Sequence, residues 1–226
     1  MKTLKILIAT GNPGKFEELK SHFADLAYDF VSLKDVKLDT IDLEEPYDTT
    51  WENALHKAKF FAQKSGLVTI AEDTAFYVDK LGGLPGVKAK RYGKDDAERM
   101  SKVLAGLEGV PLPERTAYFE VHGCVYNPTD DSFSVFKGRV DGLIPERIEG
   151  EIRAGMSYDS LFFYPPLNKT FANLSVAEKN SVSHRGKLAR LIKIHLSRQY
   201  SSPQIICPVG LIIKDRRLFL NKRRDA

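Results

Sequence analysis

The feature that most restricts the fold of this chain is a short buried strand that runs directly into a helix. Residues 4–9 form a mostly apolar run, which ends at a polar turn containing Gly11 and Gly14. From Lys15 onward, apolar residues recur at helical spacing. A buried strand that enters a helix through a glycine-containing turn is typical of α/β proteins. The opening of the chain therefore predicts an α/β fold.

The remaining periodicities predict further strands and helices. Strands are predicted at residues 28–33 and 67–71 and in a hairpin of residues 117–126 and 133–140. Helices are predicted from a cap at Thr49 or Thr50 to Gly66, with Trp51 on the apolar stripe, over residues 94–107, and from about His184. Residues 81–86 and 155–165 are rich in glycine, proline or aromatic residues and are predicted to be irregular.

Composition indicates a soluble protein. The 226 residues are 42% hydrophobic and 28% charged, which is sufficient for a hydrophobic core without disulfide bonds. Two cysteines cannot form a disulfide framework, and no apolar run is long enough for a signal peptide or a membrane span. We therefore expect a cytoplasmic protein with no membrane partner.

The positive net charge belongs to the end of the chain. Residues 200–226 hold six Lys or Arg and two acidic residues, whereas the rest of the chain holds 28 of each sign. The main body therefore gives no electrostatic reason to bind nucleic acid. A Ser-Ser-Pro linker at residues 201–203 precedes a hairpin pattern over residues 205–213 and 218–220. We predict a domain over residues 1–199, followed by a linker and a basic hairpin over residues 200–226.

The first of four polar clusters is the turn Thr10-Gly11-Asn12-Pro13-Gly14-Lys15. Backbone N–H groups at a helix N-terminus, together with a lysine, suit a phosphate. The spacing is not that of a Walker A loop. A plain strand-to-helix turn explains these residues equally well.

Two further clusters contain carboxylates. Glu44 and Glu45 precede the second helix, on which Asn53 and Lys57 share a face, although such a pair is usually a surface feature without function. Glu72-Asp73-Thr74 is predicted at the carboxyl end of a strand, where α/β folds place ligands. Adjacent carboxylates there suit Mg²⁺, with one left to activate water, whereas helix capping by Asp73 or Thr74 is the alternative.

The fourth cluster combines Tyr158-Asp159 with Ser183-His184-Arg185-Gly186. An aromatic ring, a carboxylate and two donor side chains can stack on a heterocycle and hydrogen-bond to it. A capped helix with a surface arginine is the alternative.

Taken in order, these clusters closely resemble the inosine triphosphate pyrophosphatase family, whose members hydrolyse non-canonical purine nucleoside triphosphates. The resemblance extends from about Leu4 to Leu196. Its six fragments are residues 9–15, residues 52–58, residues 71–74, residues 81–86 with Arg91-Tyr92, Tyr158-Asp159, and residues 183–186. Six fragments in order are far more specific than any single one.

The resemblance implies an elongated mixed β-sheet flanked by helices, with two lobes, a central active-site cleft and assembly as a homodimer. It implies that ITP, dITP and XTP are hydrolysed to the monophosphate and pyrophosphate by Mg²⁺-assisted attack of water on the α-phosphorus. Asp73 would be the catalytic base, and Glu45, Glu72 and Asp73 would bind Mg²⁺. The residues that would bind the purine nucleotide are Thr10, Asn12, Lys15, Lys57, Thr74, Tyr158, Asp159, Lys179, Ser183, His184 and Arg185.

The chain departs from the family pattern at two positions. Met156 replaces an aromatic residue that would stack on the purine, and Ser157 replaces a glycine that allows close approach. Two alternatives therefore stay open. One is a related pyrophosphatase of different base preference, against which residues 183–186 argue. The other is a nucleotide-binding sensor or adaptor without turnover, against which the intact Asp73, Glu72 and Lys57 argue.

The end of the chain lies outside that resemblance. Residues 209–223 resemble the first hairpin of a Nudix hydrolase domain, but the glutamate-rich helix that performs Nudix chemistry is missing. A truncated fusion and an additional packing element are both possible interpretations of this segment.

Overall fold

A computed structural model describes residues 3–153 and 155–199 and the strands at residues 211–214 and 217–220. The chain divides into two units, residues 1–193 and 194–226. The domain boundary predicted at residues 199 and 200 stays a prediction. No helix among the described residues is long and apolar enough to cross a membrane.

Strands and helices alternate in the first half of the chain. The elements there are β1 (Lys5–Ile8), α1 (Pro13–His22), β2 (Asp29–Ser32), α2 (Thr50–Ser65), β3 (Val68–Val78), β4 (Pro85–Gly86) and α3 (Asp96–Ala105). The second half begins with a long hairpin. Its elements are β5 (Thr116–Asn127), β6 (Ser132–Leu143), β7 (Phe163–Tyr164), β8 (Lys169–Thr170), α4 (Val176–Val182) and α5 (His184–Gln199).

Eight of these strands form one mixed sheet. The strand order is β2-β1-β3-β5-β6-β7-β8, and β4 pairs with β3. Strand β1 lies parallel to both β2 and β3, whereas the β3–β5 and β5–β6 pairs are antiparallel. Helices α1 and α2 connect the parallel strands, as crossover connections require. The predicted mixed α/β fold is confirmed.

Strand β3 is longer than the sequence predicts. The pattern predicts an end at Ala71, but the strand continues through Glu72, Asp73 and Thr74 to Val78 because β5 pairs with it from residue 69 to residue 78. The carboxylates therefore lie in the middle of a strand. No helix begins there, so helix capping by Asp73 or Thr74 is wrong.

The other edge of β3 has partners only at its two ends. Strand β1 pairs with residues 68–70, and β4 pairs with residues 76 and 77. Between these pairings, residues 71–75 have no strand partner on that edge among the described residues. The carboxyl end of β1 opens onto this gap, and it is here that the candidate site lies.

The β3–β5 ladder runs between two hydrophobic clusters. One cluster contains Ala71 of β3 and Tyr126 of β5 and includes the buried face of α2, with Ala54, Ala58, Phe61 and Ala62. The other cluster contains Phe76 of β3 and Phe119 of β5 and includes Met100, Val103, Phe162 and Phe171. The polar residues of β3 lie between the two clusters.

The helices that frame the site begin at well-defined caps. Asn12 caps α1, with Pro13 in the first turn, and Thr49 caps α2, which ends at Gly66 in the left-handed conformation. Trp51 does not join the buried face of α2 as predicted, since it is 43% exposed. The buried side of the first turn is formed by Thr50 and Asn53 instead, and Trp51 lies on its exposed side.

The second unit contains two short strands, β9 (Leu211–Lys214) and β10 (Arg217–Leu220). They pair antiparallel, with Leu211 opposite Leu220 and Lys214 opposite Arg217. Residues 205–210 of the predicted hairpin lie outside the described residues, as do residues 215, 216 and 221–223 of the segment that resembles a Nudix hairpin.

Candidate active site

The turn between β1 and α1 is organised by the side chain of Asn12. Its Oδ1 accepts hydrogen bonds from the backbone N–H groups of Gly14 at 2.9 Å and Lys15 at 3.3 Å, and Thr10 Oγ1 accepts from the Asn12 N–H at 3.2 Å. The backbone N–H groups of Asn12, Gly14 and Lys15, which the sequence offers to a phosphate, therefore already have partners. The lysine side chain of this turn is the group left to meet a phosphate.

Lys15 extends across the gap to β3. Its Nζ lies 3.2 Å from Oε1 of Glu72, whose side chain is almost fully buried. Lys57, one turn after Asn53 on α2, reaches the same gap from the other side. Its Nζ donates to the backbone carbonyl of Glu72 at 3.1 Å and is paired with the Glu45 carboxylate. Two ammonium groups thus approach the open edge of β3.

Glu72 and Asp73 face opposite sides of the sheet because neighbouring strand residues alternate. Glu72 points toward α1 and α5, where Nε of Arg185 donates to its two oxygens at 2.9 and 3.0 Å. Burial alone would raise the pKa of Glu72, but the charges of Arg185 and Lys15 lower it below its ordinary value. The two cations therefore favour the ionised form of Glu72, which is their ion-pair partner.

Asp73 faces α2 in a different environment. Asn53 Nδ2 donates to its Oδ2 at 3.1 Å, and the Thr74 N–H donates to its Oδ1 at 2.9 Å. Burial and the nearby negative charge of Glu45 raise the pKa of Asp73 above its ordinary value, with Lys57 opposing them. A carboxylate with a raised pKa is a better proton acceptor than an ordinary aspartate.

Beyond Glu72, buried charges of alternating sign continue to the last helices. Arg185 also donates through Nη1 to Glu18, whose other oxygen lies 2.8 Å from Lys179 Nζ. Lys179 in turn lies 2.6 Å from Oδ2 of Asp159. The complete chain of ion pairs runs Lys15, Glu72, Arg185, Glu18, Lys179, Asp159.

Glu18 lies at the centre of this chain. Burial opposes its ionisation, but Arg185 and Lys179 together lower the pKa of Glu18 to about 2. Asp159 is more deeply buried, and burial raises its pKa although Lys179 opposes the shift. The network therefore links a firmly ionised carboxylate to one whose charge is easier to remove.

The three predicted metal ligands are not assembled. Glu45 and Asp73 lie on one side of β3, whereas the carboxylate of Glu72 lies on the other side and is taken up by Arg185 and Lys15. No group of three His, Cys, Asp or Glu residues within 3–153 and 155–199 is arranged to hold a metal ion. Of the three predicted carboxylates, Glu45 and Asp73 share one side of β3.

Several residues expected near the nucleobase make structural contacts. The Tyr158 ring packs 4.7 Å from Phe76, and its hydroxyl donates to the Ala89 carbonyl at 3.0 Å. His184 is 3% exposed and stacks on Phe119 at 4.7 Å, and burial places its pKa well below the ordinary value. The imidazole is therefore neutral.

Two predicted site residues have hydroxyl groups with different surroundings. Ser183 Oγ accepts the Gly186 N–H at 3.0 Å and so caps α5. Thr74 Oγ1 is buried without a hydrogen-bond partner, as is Nδ1 of His184, among the residues that the structure describes. Unpaired buried polar atoms are uncommon and are a reason to look for a ligand.

Sequence reasoning misses two residues of this site. The sequence indicates Asn53 only as a neighbour of Lys57, yet it is 1% exposed and binds both Asp73 and the backbone of Tyr47. Glu18 lies three positions after Lys15 on the same face of α1, but nothing in the sequence distinguishes it from the exposed Glu17. Its role is visible only once α1 meets α4 and α5.

Comparison with known proteins shows relatives along most of the chain. The Ham1 family model matches residues 6–194. A dITP/XTP pyrophosphatase of Yersinia pseudotuberculosis is 40% identical over 195 residues, covering 83% of this chain and 95% of the relative. A dITP/XTP pyrophosphatase of Caldanaerobacter subterraneus is 37% identical over 201 residues, covering 87% of this chain and 98% of the relative.

A solved structure agrees with these matches. The structure of a HAM1 protein from Coxiella burnetii superposes with a TM-score of 0.76 at 33% identity, covering 86% of this chain and 99% of that one. The resemblance drawn from the six sequence fragments is confirmed, and the chain belongs to the Ham1 family.

Proposed function

We propose that the site at the open edge of β3 hydrolyses non-canonical purine nucleoside triphosphates, namely ITP, dITP and XTP, to the nucleoside monophosphate and pyrophosphate. The observation that supports this most directly is that Lys15 and Lys57 both reach the open edge of β3, where they pair with Glu72 and Glu45 beside Asp73. Turnover requires cations that bind the polyphosphate and a carboxylate that accepts a proton. Both kinds of group are present, so an enzyme is favoured over a nucleotide sensor.

The two lysines would bind the triphosphate. In the present structure they neutralise Glu72 and Glu45, and Lys57 also donates to a backbone carbonyl. Phosphate oxygens would take over some of these contacts, and the positive end of α1 would add to the attraction. Charge that accumulates on the departing pyrophosphate would be stabilised by the same ammonium groups.

Asp73 would accept the proton of the attacking water. Its Oδ2 is held by Asn53 and its Oδ1 by the Thr74 N–H, so the carboxylate has a fixed orientation. Its raised pKa makes proton transfer to it more favourable than to an ordinary aspartate.

A hard divalent cation fits two of the predicted carboxylates. Glu45 is close enough to Asp73 for its charge to raise the pKa of Asp73, and oxygen donors are those that Mg²⁺ prefers. Glu45 and Asp73 would hold the ion from one side of β3, whereas Glu72 is paired with Arg185 and Lys15 in the present structure. When bound, Mg²⁺ would neutralise phosphate charge and lower the pKa of a coordinated water.

The nucleobase would lie near Arg185, His184, Asp159 and Lys179. Arg185 donates through Nε and Nη1 to Glu72 and Glu18, which leaves its Nη2 outside these ion pairs. That remaining donor suits the 6-oxygen of hypoxanthine or xanthine and does not suit the 6-amino group of adenine. A mismatch in a buried site costs about 1–3 kcal/mol per group, which is about tenfold to a hundredfold in rate.

Measurement of pyrophosphate release with Mg²⁺ across ITP, XTP, dITP, GTP and ATP tests the proposal. We expect kcat/KM for ITP and XTP to exceed that for ATP by about tenfold or more. Equal values for ATP and ITP would remove Arg185 as the residue that reads position 6. Release of single phosphates instead of pyrophosphate would contradict attack at the α-phosphorus.

A cytoplasmic location and a homodimeric assembly are part of the same proposal, as is the lack of a nucleic-acid partner. They are suggested by the sequence and by the family resemblance. Sedimentation of the full chain with and without ITP would test the assembly.

A further inference from the structure

His122 of β5 lies directly opposite Asp73 in the β3–β5 ladder, yet it is not among the residues assigned to the reaction. Residues that oppose each other in an antiparallel pair project from the same side of the sheet, with their Cβ atoms about 4.5–5.5 Å apart. Asp73 faces α2, where Asn53 binds it, so His122 faces α2 as well. The sheet therefore presents a histidine beside the candidate base and against the same helix.

The first turn of α2 contacts both of these strand residues. A hydrogen bond joins Thr50 Oγ1 to His122 Nδ1 at 2.7 Å, and Asn53 Nδ2 donates to Asp73 Oδ2 at 3.1 Å. Thr50 and Asn53 are three positions apart, so they lie on the same face of the helix. With the cross-strand pair, the two hydrogen bonds close a ring of four residues, here called the four-residue ring.

The helix side of the four-residue ring lies inside the protein. Thr50 is 2% exposed and Asn53 is 1% exposed, whereas 15% of the His122 side chain is exposed. A buried polar group that loses its partner is not readily satisfied by water. The Glu120 carboxylate lies 3.9 Å from His122 Nδ1, which is too far to replace the Thr50 hydroxyl.

Apolar packing does not hold the first turn of α2 on the sheet. The apolar residues of α2 in the cluster that contains Ala71 begin at Ala54, and Trp51 in the first turn is 43% exposed. The buried side chains of that turn, Thr50 and Asn53, are both polar. Its position over the sheet therefore depends on hydrogen bonds, which are directional, whereas apolar contacts are not.

The amide of Asn53 is held from a second direction. Its Nδ2 donates to the Tyr47 carbonyl at 3.0 Å, and its Oδ1 accepts the Tyr47 N–H at 3.0 Å. Because these bonds fix the rotation of the amide, the position of the helix turn sets the distance from Asn53 to Asp73. A shift of that turn would remove the Asn53 hydrogen bond from the Asp73 carboxylate.

We propose that His122 is a positioning residue for hydrolysis, which holds the first turn of α2 through Thr50 and thereby keeps Asn53 on Asp73. This inference rests on the proposed function and assigns a role to two residues that the proposed reaction does not use. His122 acts through the helix and not on the substrate, so its removal should disturb the orientation of the base.

The lysines that would bind phosphate are anchored independently of the four-residue ring. Lys57 lies further along α2 and is held by the Glu72 carbonyl at 3.1 Å and by the Glu45 carboxylate. Lys15 comes from α1 and lies 3.2 Å from Glu72 Oε1. A shift of the first turn should therefore slow the chemical step and leave phosphate binding intact.

Steady-state hydrolysis of ITP by the full chain and its variants tests the inference. Thr50→Val removes the hydroxyl and keeps the shape of the side chain, and His122→Ala removes the ring. We expect each to lower kcat about tenfold with KM changed by less than about threefold. The double variant should be no worse than either single variant, because both remove one contact. Inhibition by inorganic tripolyphosphate should be unchanged.

Conservative variants separate positioning from a general loss of structure. Thr50→Ser keeps the hydroxyl, and His122→Asn places an amide that can donate or accept near the position of Nδ1. Both should keep kcat within about threefold of the parent. The longer side chain of His122→Gln places its amide nearer to Nε2, so this variant should behave like His122→Ala.

Thr170→Val is the matched control for Thr50→Val. Thr170 is fully buried in β8, and its hydroxyl donates to the Glu149 carbonyl at 3.0 Å. Three strand pairings separate β8 from β5 in the sheet. The control should lower Tm about as much as Thr50→Val does, because each loses one buried hydrogen bond, without lowering kcat.

The outcomes distinguish the inference from the proposed function. An active parent enzyme with unchanged kcat in Thr50→Val and His122→Ala would overturn the inference alone. An equal loss of kcat in Thr170→Val, or weaker tripolyphosphate inhibition in the Thr50 and His122 variants, would also overturn it, since either would indicate a general loss of structure. Failure of the parent chain to hydrolyse ITP would overturn the proposed function and, with it, the inference.

Discussion

At the scale of single residues, Glu72 and Asp73 show how adjacent carboxylates acquire different properties. Strand geometry directs Glu72 toward Arg185 and Lys15, which lower its pKa, and Asp73 toward Glu45, which raises the pKa of Asp73 further than burial alone. One carboxylate is thereby fixed as a charge that orients cations. The other is a candidate base.

Replacement of Asp73 by asparagine tests that assignment. Asp73→Asn keeps the size of the side chain and an acceptor for the Thr74 N–H but cannot take a proton at neutral pH. We expect turnover of ITP to fall by about 10²–10⁴-fold while nucleotide affinity, measured by calorimetry, changes little. Near-parental turnover would transfer the role of base to another group.

The lowered pKa of Glu18 leads to a prediction about how the stability of the folded state depends on pH. Its pKa of about 2 lies below the ordinary value of 4.5, so its ionised form stabilises the folded state fully above pH 4.5. This contribution is lost as the pH falls through about 2. Glu18→Gln should therefore reduce the free energy of unfolding by about 3 kcal/mol at pH 7, because Lys179 and Arg185 stay buried.

Urea unfolding of the parent chain and of Glu18→Gln from pH 7 to pH 2 measures this effect. The difference between the two should shrink as the pH falls below 4.5. The exposed neighbour Glu17, replaced by glutamine, is the control and should change stability by less than about 0.5 kcal/mol. A difference that is independent of pH would show that the charge of Glu18 is not its contribution.

The sequence is sufficient to find the chemistry of single residues but not their partners. Residue types and spacing indicate Asp73 and Lys15 as candidates, and the family resemblance adds Lys57. The ion pairs of Arg185 with Glu72 and Glu18 join residues 113 and 167 positions apart, and such contacts leave no local pattern. For that reason the sequence predicts that Arg185 faces the nucleobase, without its two carboxylate partners.

At the scale of elements, α2 combines a structural and a functional face. Its apolar side packs in the cluster that contains Ala71, while Asn53 and Lys57, one turn apart, face the open edge of β3. The helix thus sets the distance between Asp73 and the ammonium group of Lys57.

Removal of that ammonium group should affect binding and turnover together. We expect Lys57→Ala to reduce kcat/KM for ITP by about 100-fold, with KM raised as well, because the charge meets both the bound phosphates and the transition state. Lys64→Ala on the same helix is the control, as Lys64 lies in the last turn of α2. A lower kcat with an unchanged KM would show that Lys57 interacts with the transition state but not with the bound substrate.

The length of β3 shows why a sequence pattern can misplace the end of a strand. Glu72 and Asp73 interrupt the apolar run, so the pattern predicts that the strand ends there. In the structure, backbone pairing with β5 outweighs the unfavourable residue types, and Phe76 and Val78 resume the buried pattern. The caps of α1 and α2, which depend on local residues alone, are predictable to within about two residues.

At the scale of the whole molecule, the sequence predicts that the end of the chain takes no part in hydrolysis. Residues 203–226 follow the linker, and the segment includes Asp215 and Asp225 as its only carboxylate side chains. Deletion of residues 203–226 should leave kcat/KM for ITP within about threefold of the full chain. Loss of activity or of soluble expression would show that this segment belongs to the fold or to an assembly interface.

The uninterrupted pairing of β3 with β5 has a mechanical consequence. Ten successive residue pairs run from Thr69–Tyr126 to Val78–Ala117, past the carboxylates and into both hydrophobic clusters. Rotation of one cluster relative to the other would need this ladder to bend, since no turn interrupts it. The side chains and loops beside the ladder, by contrast, can change position without breaking any of its ten residue pairs.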